Sequence, residues 1–318
     1  MTRVIFLILP GVELLDFAGP LQALHEASQH FGASYELHLC SPWLEVPSDQ
    51  GLALTRLEPL IAPASGDLVF IPGSPAFHRS RPEPEVLEWL WKADRTGVRF
   101  FSICTGAFLL ANAGLLDGRE CTTHWAHVDT LQQRFPNTRV LANRLFVTDG
   151  PITSSAGIVA GVDMTLALLE QDCGPLLAAK VAREMVVYMR RDGSHSQLSV
   201  YLDFRGHIHQ GIHGLQDWLV AHPCDDKPLA DLARMAGMSV RNLTRQFRAA
   251  TGISIHDYIT RLKLERARDL MRDPALTLEA VAEACGLGEA RRLRRLWQQA
   301  FGEAPSNTRR GATSPSTR

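Results

Sequence analysis

The chain opens with an unbroken apolar run, Val4-Ile5-Phe6-Leu7-Ile8-Leu9, that stops at Pro10-Gly11. A continuous run of this length, ended by a turn pair, predicts a parallel strand buried on both faces. The pattern returns at Leu68–Ile71 before Pro72-Gly73-Ser74-Pro75, and at residues 98–103 before Cys104-Thr105-Gly106. Tyr35–Cys40 alternates apolar and polar positions and predicts a further strand. Helices are expected over residues 21–29 and 85–95, and directly after Cys104. Beyond them the pattern predicts a short strand near Cys121, a helix ending at Phe135, and a hairpin of residues 139–141 with 145–148. An apolar helix to about Gln171 and a helix over 175–191 follow, the second with Pro175 at its start, where proline suits a helix. Short apolar strands alternating with helices make an α/β unit: a parallel sheet sandwiched between helices.

After Asp192 the period is lost. Residues 192–212 are rich in Gly, Ser and His and are expected to be a linker. His195, His207, His209 and His213 have no Cys or acidic partner at tight spacing, so no metal site is expected. Residues 213–305 then hold an internal repeat. The stretch from Leu229 to Met238 matches that from Leu278 to Leu287 at an offset of 49. Beyond the turn the offset is 50, pairing Leu243 with Leu293, Phe247 with Trp297 and Gly252 with Gly302. A one-residue slip is tolerated in a turn, whereas in a helix it would rotate the apolar face. Each copy reads as a helix, a Gly turn and a second helix, the arrangement that places its second helix in a DNA major groove. Ser239 is a good N-cap. With Leu243 and Phe247 turned inward, Arg241, Asn242, Thr244 and Arg245 are left to face a duplex. With Leu293 and Trp297 inward, Arg291, Arg294 and Arg295 are left in the second copy. Arginine both reads guanine and holds phosphates. One long helix from Ser254 to Met271 joins the copies, and residues 306–318 are expected to be a disordered tail.

The charge sorts the same way. From Pro223 onward 17 basic residues face 11 acidic ones, a net +6, while the first 222 residues carry −7. Only the second half is therefore built to meet a polyanion such as double-stranded DNA. Six scattered cysteines without a C-x-x-C pair, no signal-peptide pattern and no 18-residue apolar run point to a cytoplasmic protein with reduced thiols and no membrane segment.

Candidate chemistry gathers at the strand ends, where ligands collect in open α/β sheets. Cys104 follows a strand and precedes a helix, as a nucleophile does at a strand–helix elbow. A helix N-terminus is expected to lower its thiol pKa, which would suit a nucleophile or a redox sensor. Glu13 and Asp16, in the loop after the first strand, and Gly73 are expected to share its crevice. The Thr105 N–H could line an oxyanion hole, and a carboxylic acid beside the sulfur would have its pKa raised. A cysteine nucleophile needs a base, normally His, within hydrogen-bond reach. Thr105 cannot serve, and His124 is the one that could reach. If the site were enzymatic, Cys104, Asp16, Thr105 and His124 would be its catalytic candidates. The other reading is a ligand pocket lined by Glu13, Asp16, Gly73, Cys104, Thr105 and His124, with no catalytic residue and no cofactor.

Several motifs resemble known families. Leu15-Asp16-Phe17-Ala18-Gly19-Pro20, Cys104-Thr105-Gly106-Ala107-Phe108-Leu109-Leu110, and Gly114-Leu115-Leu116-Asp117-Gly118 with Thr122-Thr123-His124-Trp125 resemble the PfpI-like, class I glutamine-amidotransferase-like superfamily, in the branch that contains isonitrile hydratase. Residues 223–305 resemble an AraC/XylS-type DNA-binding domain. The combination is similar to GlxA-type AraC-family transcriptional regulators. That resemblance implies a dimeric, flavodoxin-like sensor over residues 1–191 and a double helix-turn-helix reader over 213–305. It further implies a small nitrogenous effector, such as a betaine, carnitine or arginine, and RNA polymerase as a partner. The chain would then be an activator rather than an enzyme, with two recognition helices in successive major grooves about 34 Å apart. The alternative it leaves is a hydratase or amidase acting through Asp16, Cys104 and Thr105. In the second copy Leu287, Glu289 and Asn307-Thr308 replace the family's usual Phe, Ser and Tyr.

Overall fold

The computed structural model describes residues 1–187, 191–193, 195, 197, 204–207, 209–271, 273, 275–302 and 304–306. Residues 307–318, which hold all of the expected tail but Ser306 and include Asn307-Thr308, lie outside them. The chain divides into two compact units, Met1–Gln197 and Leu198–Arg318.

In the first unit the apolar runs become a six-stranded sheet. Its strands are β1 (Thr2–Leu7), β2 (Tyr35–Cys40), β5 (Leu68–Ile71), β6 (Arg99–Ile103), β9 (Phe146–Asp149) and β10 (Ile152–Ser155). Their spatial order is β2-β1-β5-β6-β10-β9. The first five are parallel and β9 is antiparallel at the edge. Counting the parallel strands alone gives 2-1-3-4-5, the flavodoxin-like order, whose switch point lies between β1 and β5. Alternate residues of each run feed opposite faces. Val4, Phe6, Ile8, Phe70, Phe101 and Ile103 pack under α1 (Leu14–Phe31), α5 (Val159–Cys173) and α6 (Pro175–Glu184). Ile5, Leu7, Leu9, Val69, Ile71 and Phe100 pack under α2 (Pro84–Thr96) and α3 (Gly106–Asn112). On the first face Phe6, Phe70 and Phe101 form a ladder of stacked rings, with centroids 4.9 and 4.7 Å apart. The small strands β3 (Glu45–Pro47) with β4 (Ala53–Thr55), and β7 (Glu120–Cys121) with β8 (Arg139–Val140), complete the unit together with α4 (Val128–Arg134).

Three local expectations are corrected. The first helix begins at Leu14 rather than near residue 21, so Asp16 sits in a helical turn and not in a loop. Pro20 falls inside that helix, and lacking an N–H it forfeits one backbone bond. The buried face of Phe17, Pro20, Ala23, Leu24 and Ala27 holds the helix together regardless. The expected 139–141/145–148 hairpin does not form. The Arg139 N–H and Leu141 N–H donate to the Arg119 and Cys121 carbonyls instead, and β9 turns back on β10 through Gly150-Pro151. The helix expected over 175–191 ends at Glu184, with Val186 at φ +55°.

The second unit is helical among its described residues. It holds α7 (Gln210–Ala221), α8 (Leu229–Met235), α9 (Val240–Thr251), α10 (Ile255–Leu270), α11 (Leu278–Ala284) and α12 (Ala290–Phe301). The repeat is visible in its hydrogen bonds. The Met238 N–H donates to Ala233 and the Leu287 N–H to Ala282, each at 2.9 Å. The slip from 49 to 50 is absorbed at Gly288, at φ +75°, which has no counterpart between Met238 and Ser239.

Phe70 is fully buried between two rings. Replacing it with Ala is expected to cost about 3–5 kcal/mol in urea unfolding followed by near-UV circular dichroism.

Candidate functional site

Two loops and two helix starts converge after β1, β5, β6 and β10. Cys104 has φ +56°, the left-handed backbone of a sharp strand-to-helix turn, and its N–H donates to the Ser155 carbonyl at 3.0 Å. The backbone crowds the side chain from both sides. A Cβ added to Gly157 would lie 3.0 Å from the sulfur, and one added to Gly73 would lie 2.6 Å from Asp16 Oδ2. Only glycine lets these two loops close on the elbow.

Asp16 is completely buried. Its Oδ2 accepts the Gly73 N–H at 3.0 Å, and its Oδ1 accepts the Ile158 N–H at 2.7 Å. Burial pushes its pKa up to about 6, against those two N–H bonds, with the Glu13 charge adding to the rise. Ile158 caps α5 at φ +47°, an unfavourable conformation for a β-branched residue, and so aims its N–H at the carboxylate. Thr105 is also buried. Its hydroxyl donates to the Ser74 carbonyl at 2.8 Å and accepts the Ser74 N–H at 2.9 Å. Glu13 donates its N–H to the Gly73 carbonyl and receives the Gln50 side-chain amide at 2.5 Å. Glu13, Asp16, Gly73, Cys104 and Thr105 therefore share one location.

The Cys104 thiol does not behave as expected. Burial, then the Asp16 charge, pushes its pKa well up, and the Thr105 N–H bond only partly opposes them. The N-terminal turn of α3 is real, but its one N–H contribution is outweighed by desolvation and a carboxylate neighbour. That N–H is directed at the sulfur, so it is not a free oxyanion donor. His124 bonds within its own turn. Its Nδ1 accepts the Ala126 N–H at 3.4 Å, and its ring neighbours Trp125 and His127, with centroids 5.4 and 5.8 Å away. Among the described residues no hydrogen bond joins His124 to Cys104. Burial and the His127 charge lower its pKa.

The structure adds residues that no motif marked. Thr123 Oγ1 donates to the Cys104 carbonyl at 2.8 Å. The Gln197 amide donates to the Thr123 carbonyl at 2.9 Å and to Thr122 Oγ1 at 3.1 Å. Upstream, the Arg191 guanidinium holds the buried Asp163 of α5 at 2.7 and 3.0 Å. The Leu145 N–H donates to the Gly193 and His195 carbonyls, and the Leu145 carbonyl accepts the Ala156 N–H, next to Gly157. A Cβ on Gly193 would lie 2.4 Å from the Phe146 carbonyl oxygen. The described residues from Arg191 to Gln197 thus form a strap bonded to the back of the elbow. In sequence they read only as a polar stretch without period, because their partners lie 28 to 75 positions away.

In the second unit each reader shows the expected faces. Leu243, Phe247, Leu293 and Trp297 are fully buried. Arg241, Thr244, Arg245, Arg291, Arg294 and Arg295 are exposed and Asn242 is half-buried. Ser239 caps α9 by accepting the Asn242 N–H at 3.3 Å, whereas Glu289 makes no side-chain cap on α12. Arg245 donates to Asn242 Oδ1 at 3.1 Å, and Arg294 approaches Glu279 at 3.9 Å.

Comparison with known proteins fits both units. The DJ-1/PfpI family matches residues 2–171. The chain belongs to the DJ-1/PfpI family. A helix-turn-helix domain matches residues 232–311. The HTH-type transcriptional regulator CdhR of Pseudomonas aeruginosa is 32% identical over 310 residues, 96% of this chain and 90% of that one. The isonitrile hydratase of Pseudomonas putida is 29% identical over 171 residues, 53% of this chain and 71% of the enzyme. A crystal structure of an AraC family transcriptional regulator from Pseudomonas putida, 26% identical, superposes with a TM-score of 0.53 over 58% of this chain and 100% of that one. This DJ-1/PfpI member is thus an HTH-type transcriptional regulator of the AraC class, the kind of protein the GlxA-type resemblance implies. No helix among its described residues is long and apolar enough to cross a membrane.

The raised pKa of Asp16 makes stability depend on pH. The folded state holds the proton more tightly than the unfolded chain, so this contribution is present below about pH 3.8 and is lost as pH rises through about 6. The full loss is about 3 kcal/mol. Urea unfolding across that range should show stability falling more steeply with rising pH in the wild type than in Asp16→Asn.

Proposed function

We propose that the chain is a cytoplasmic, ligand-responsive regulator whose elbow is a receptor pocket rather than a catalytic centre. A small nitrogenous effector binds among Glu13, Asp16, Gly73, Cys104 and Thr105, with His124 and the exposed Trp125 at its edge. The observation that carries this reading is the engagement of every candidate catalytic group. The thiol is held protonated, the Thr105 hydroxyl is bonded in both directions, and His124 is bonded to its own turn instead of to sulfur. A nucleophile without a base or a lowered pKa is weak. A buried carboxylate with a second carboxylate at its rim is suited to hold a cation once ionised.

The output of the pocket is DNA occupancy. The strap from Arg191 to Gln197 contacts the elbow through Thr123 and through Leu145, and it leads into the second unit. An effector that shifts Cys104 or Gly157 changes the partners that hold the strap. Arg241, Asn242, Thr244 and Arg245 read one half-site, and Arg291, Arg294 and Arg295 read the next. A homodimer places two such readers on one promoter and presents them to RNA polymerase as an activator. The domain limits that go with this reading are 1–191 for the sensor, 192–212 for the linker and 213–305 for the reader. The second reading, a hydratase or amidase acting through Asp16, Cys104 and Thr105, has the partial likeness to isonitrile hydratase in its favour.

Two outcomes separate the readings. In a reporter strain grown on the inducing metabolite, Cys104→Ser should keep its response within about twofold of wild type, while Asp16→Asn should lose it; an enzyme requires the reverse for Cys104. In gel-shift titrations on a selected operator, Arg245→Ala should weaken binding about 10- to 100-fold. An Arg245 that only held phosphate would instead weaken all duplexes equally and lower the salt slope by about one.

A further inference from the structure

The main packing between helices of the second unit lies within each reader or on the helix they share. In the first half α8 packs on α9, and α7 and α9 pack on α10; in the second, α11 and α12 pack on α10 and on one another. Their cores are separate clusters. Tyr258 and Leu262 of α10 belong to the first, and Leu264, Ala267 and Met271 to the second. The seam therefore falls at one residue, Lys263. It is 6% exposed, although lysine is almost never buried unless paired. Its Nζ donates to Asp226 Oδ1 at 2.5 Å and to the Gly286 carbonyl at 3.0 Å. Asp226 lies in the segment that enters the first reader, between α7 and α8. Gly286 is the turn of the second. Its backbone sits so close that an added Cβ would be 3.0 Å from Nζ and 3.3 Å from the Cys224 carbonyl oxygen. Beside this clamp the halves stay apart, around an open cavity of about 320 Å³ lined by Leu232 and Ile255 from one side and Leu287 and Arg292 from the other.

We propose that Lys263 is a positioning residue that sets the angle between the two recognition helices, and so the single half-site spacing the protein accepts on DNA. A shared helix fixes how far apart the cores lie along its axis. It does not stop each core from rocking about its own contact with that helix. A cation bonded at once to the entry of one reader and the turn of the other restrains that freedom, next to Cys224, which packs against the second core. Two linked readers bind far better than one only when both can engage without distortion, so a looser seam lowers the preference for one spacing before it lowers the affinity of either reader. Lys263 contacts no DNA-facing side chain among the described residues and acts only through the geometry it holds.

The test is selection of binding sites from a random duplex library with the full chain, comparing wild type, Lys263→Met, Lys263→Arg and Asp226→Ala. Asp226 is largely exposed, so its replacement leaves the core intact if Lys263→Met does not fold. Wild type and Lys263→Arg should select two sequence blocks at one spacing. Lys263→Met and Asp226→Ala should select the same blocks at several spacings, with affinity for the wild-type site reduced about 10- to 100-fold and affinity for a single block unchanged. One fixed spacing in Asp226→Ala overturns the proposal. So does an equal loss on single and paired blocks, which would make Lys263 part of one reader's own fold. A wild type that selects no sequence at all would instead count against the DNA-reading residues and not against the clamp.

Discussion

One buried carboxylate holds the end of the sheet together. Asp16 projects from the first turn of α1 and accepts an N–H from the end of β5 and another from the start of α5. Without it the two loops that crowd Cys104 would have no common anchor, and the Gly73 N–H would be buried without a partner. Its burial raises the pKa of Asp16, and its charge then helps to raise the pKa of Cys104. The same interaction thus builds the elbow and quiets its thiol. A scaffold shared with an enzyme can in this way serve as a receptor with no change to its strand order.

The parallel sheet and the double reader were legible in the sequence because both are written as local periods. The runs at 4–9, 68–71 and 98–103 end in turn residues, and the offset of 49 becoming 50 locates a slip that the structure places at Gly288. The meeting of Glu13, Gly73 and Cys104 was legible too, since strand ends fix where these residues come together. What failed depended on partners distant in sequence. The start of α1 was missed because Gly19-Pro20 reads as a break, while the buried face that overrides it is tertiary. The pairing of residues 139–140 with 120–121 has no local signal. The direction of the Cys104 pKa was misjudged because a helix terminus can be read from sequence and desolvation cannot.

Arg191 on Asp163, Gly193 under Phe146 and Gln197 on Thr123 bind the end of the first unit to the elements around the elbow. Each contact is modest, about 1 kcal/mol for a neutral hydrogen bond and somewhat more for the charged pair. Small changes at the elbow can therefore compete with them. Lys263 applies the same economy inside the reader, where one buried cation is bonded to both halves.

The central claim is that this pocket recognises without transforming. It is tested most directly by screening the full chain against amines, amino acids and betaines for a rise in unfolding midpoint, which a ligand of the folded state produces. The compound found is then incubated with the protein and recovered for NMR, while DNA affinity is titrated in its presence. The account predicts an unchanged compound and a shifted DNA affinity. A new product that disappears in Cys104→Ser, with DNA affinity unmoved, would contradict it.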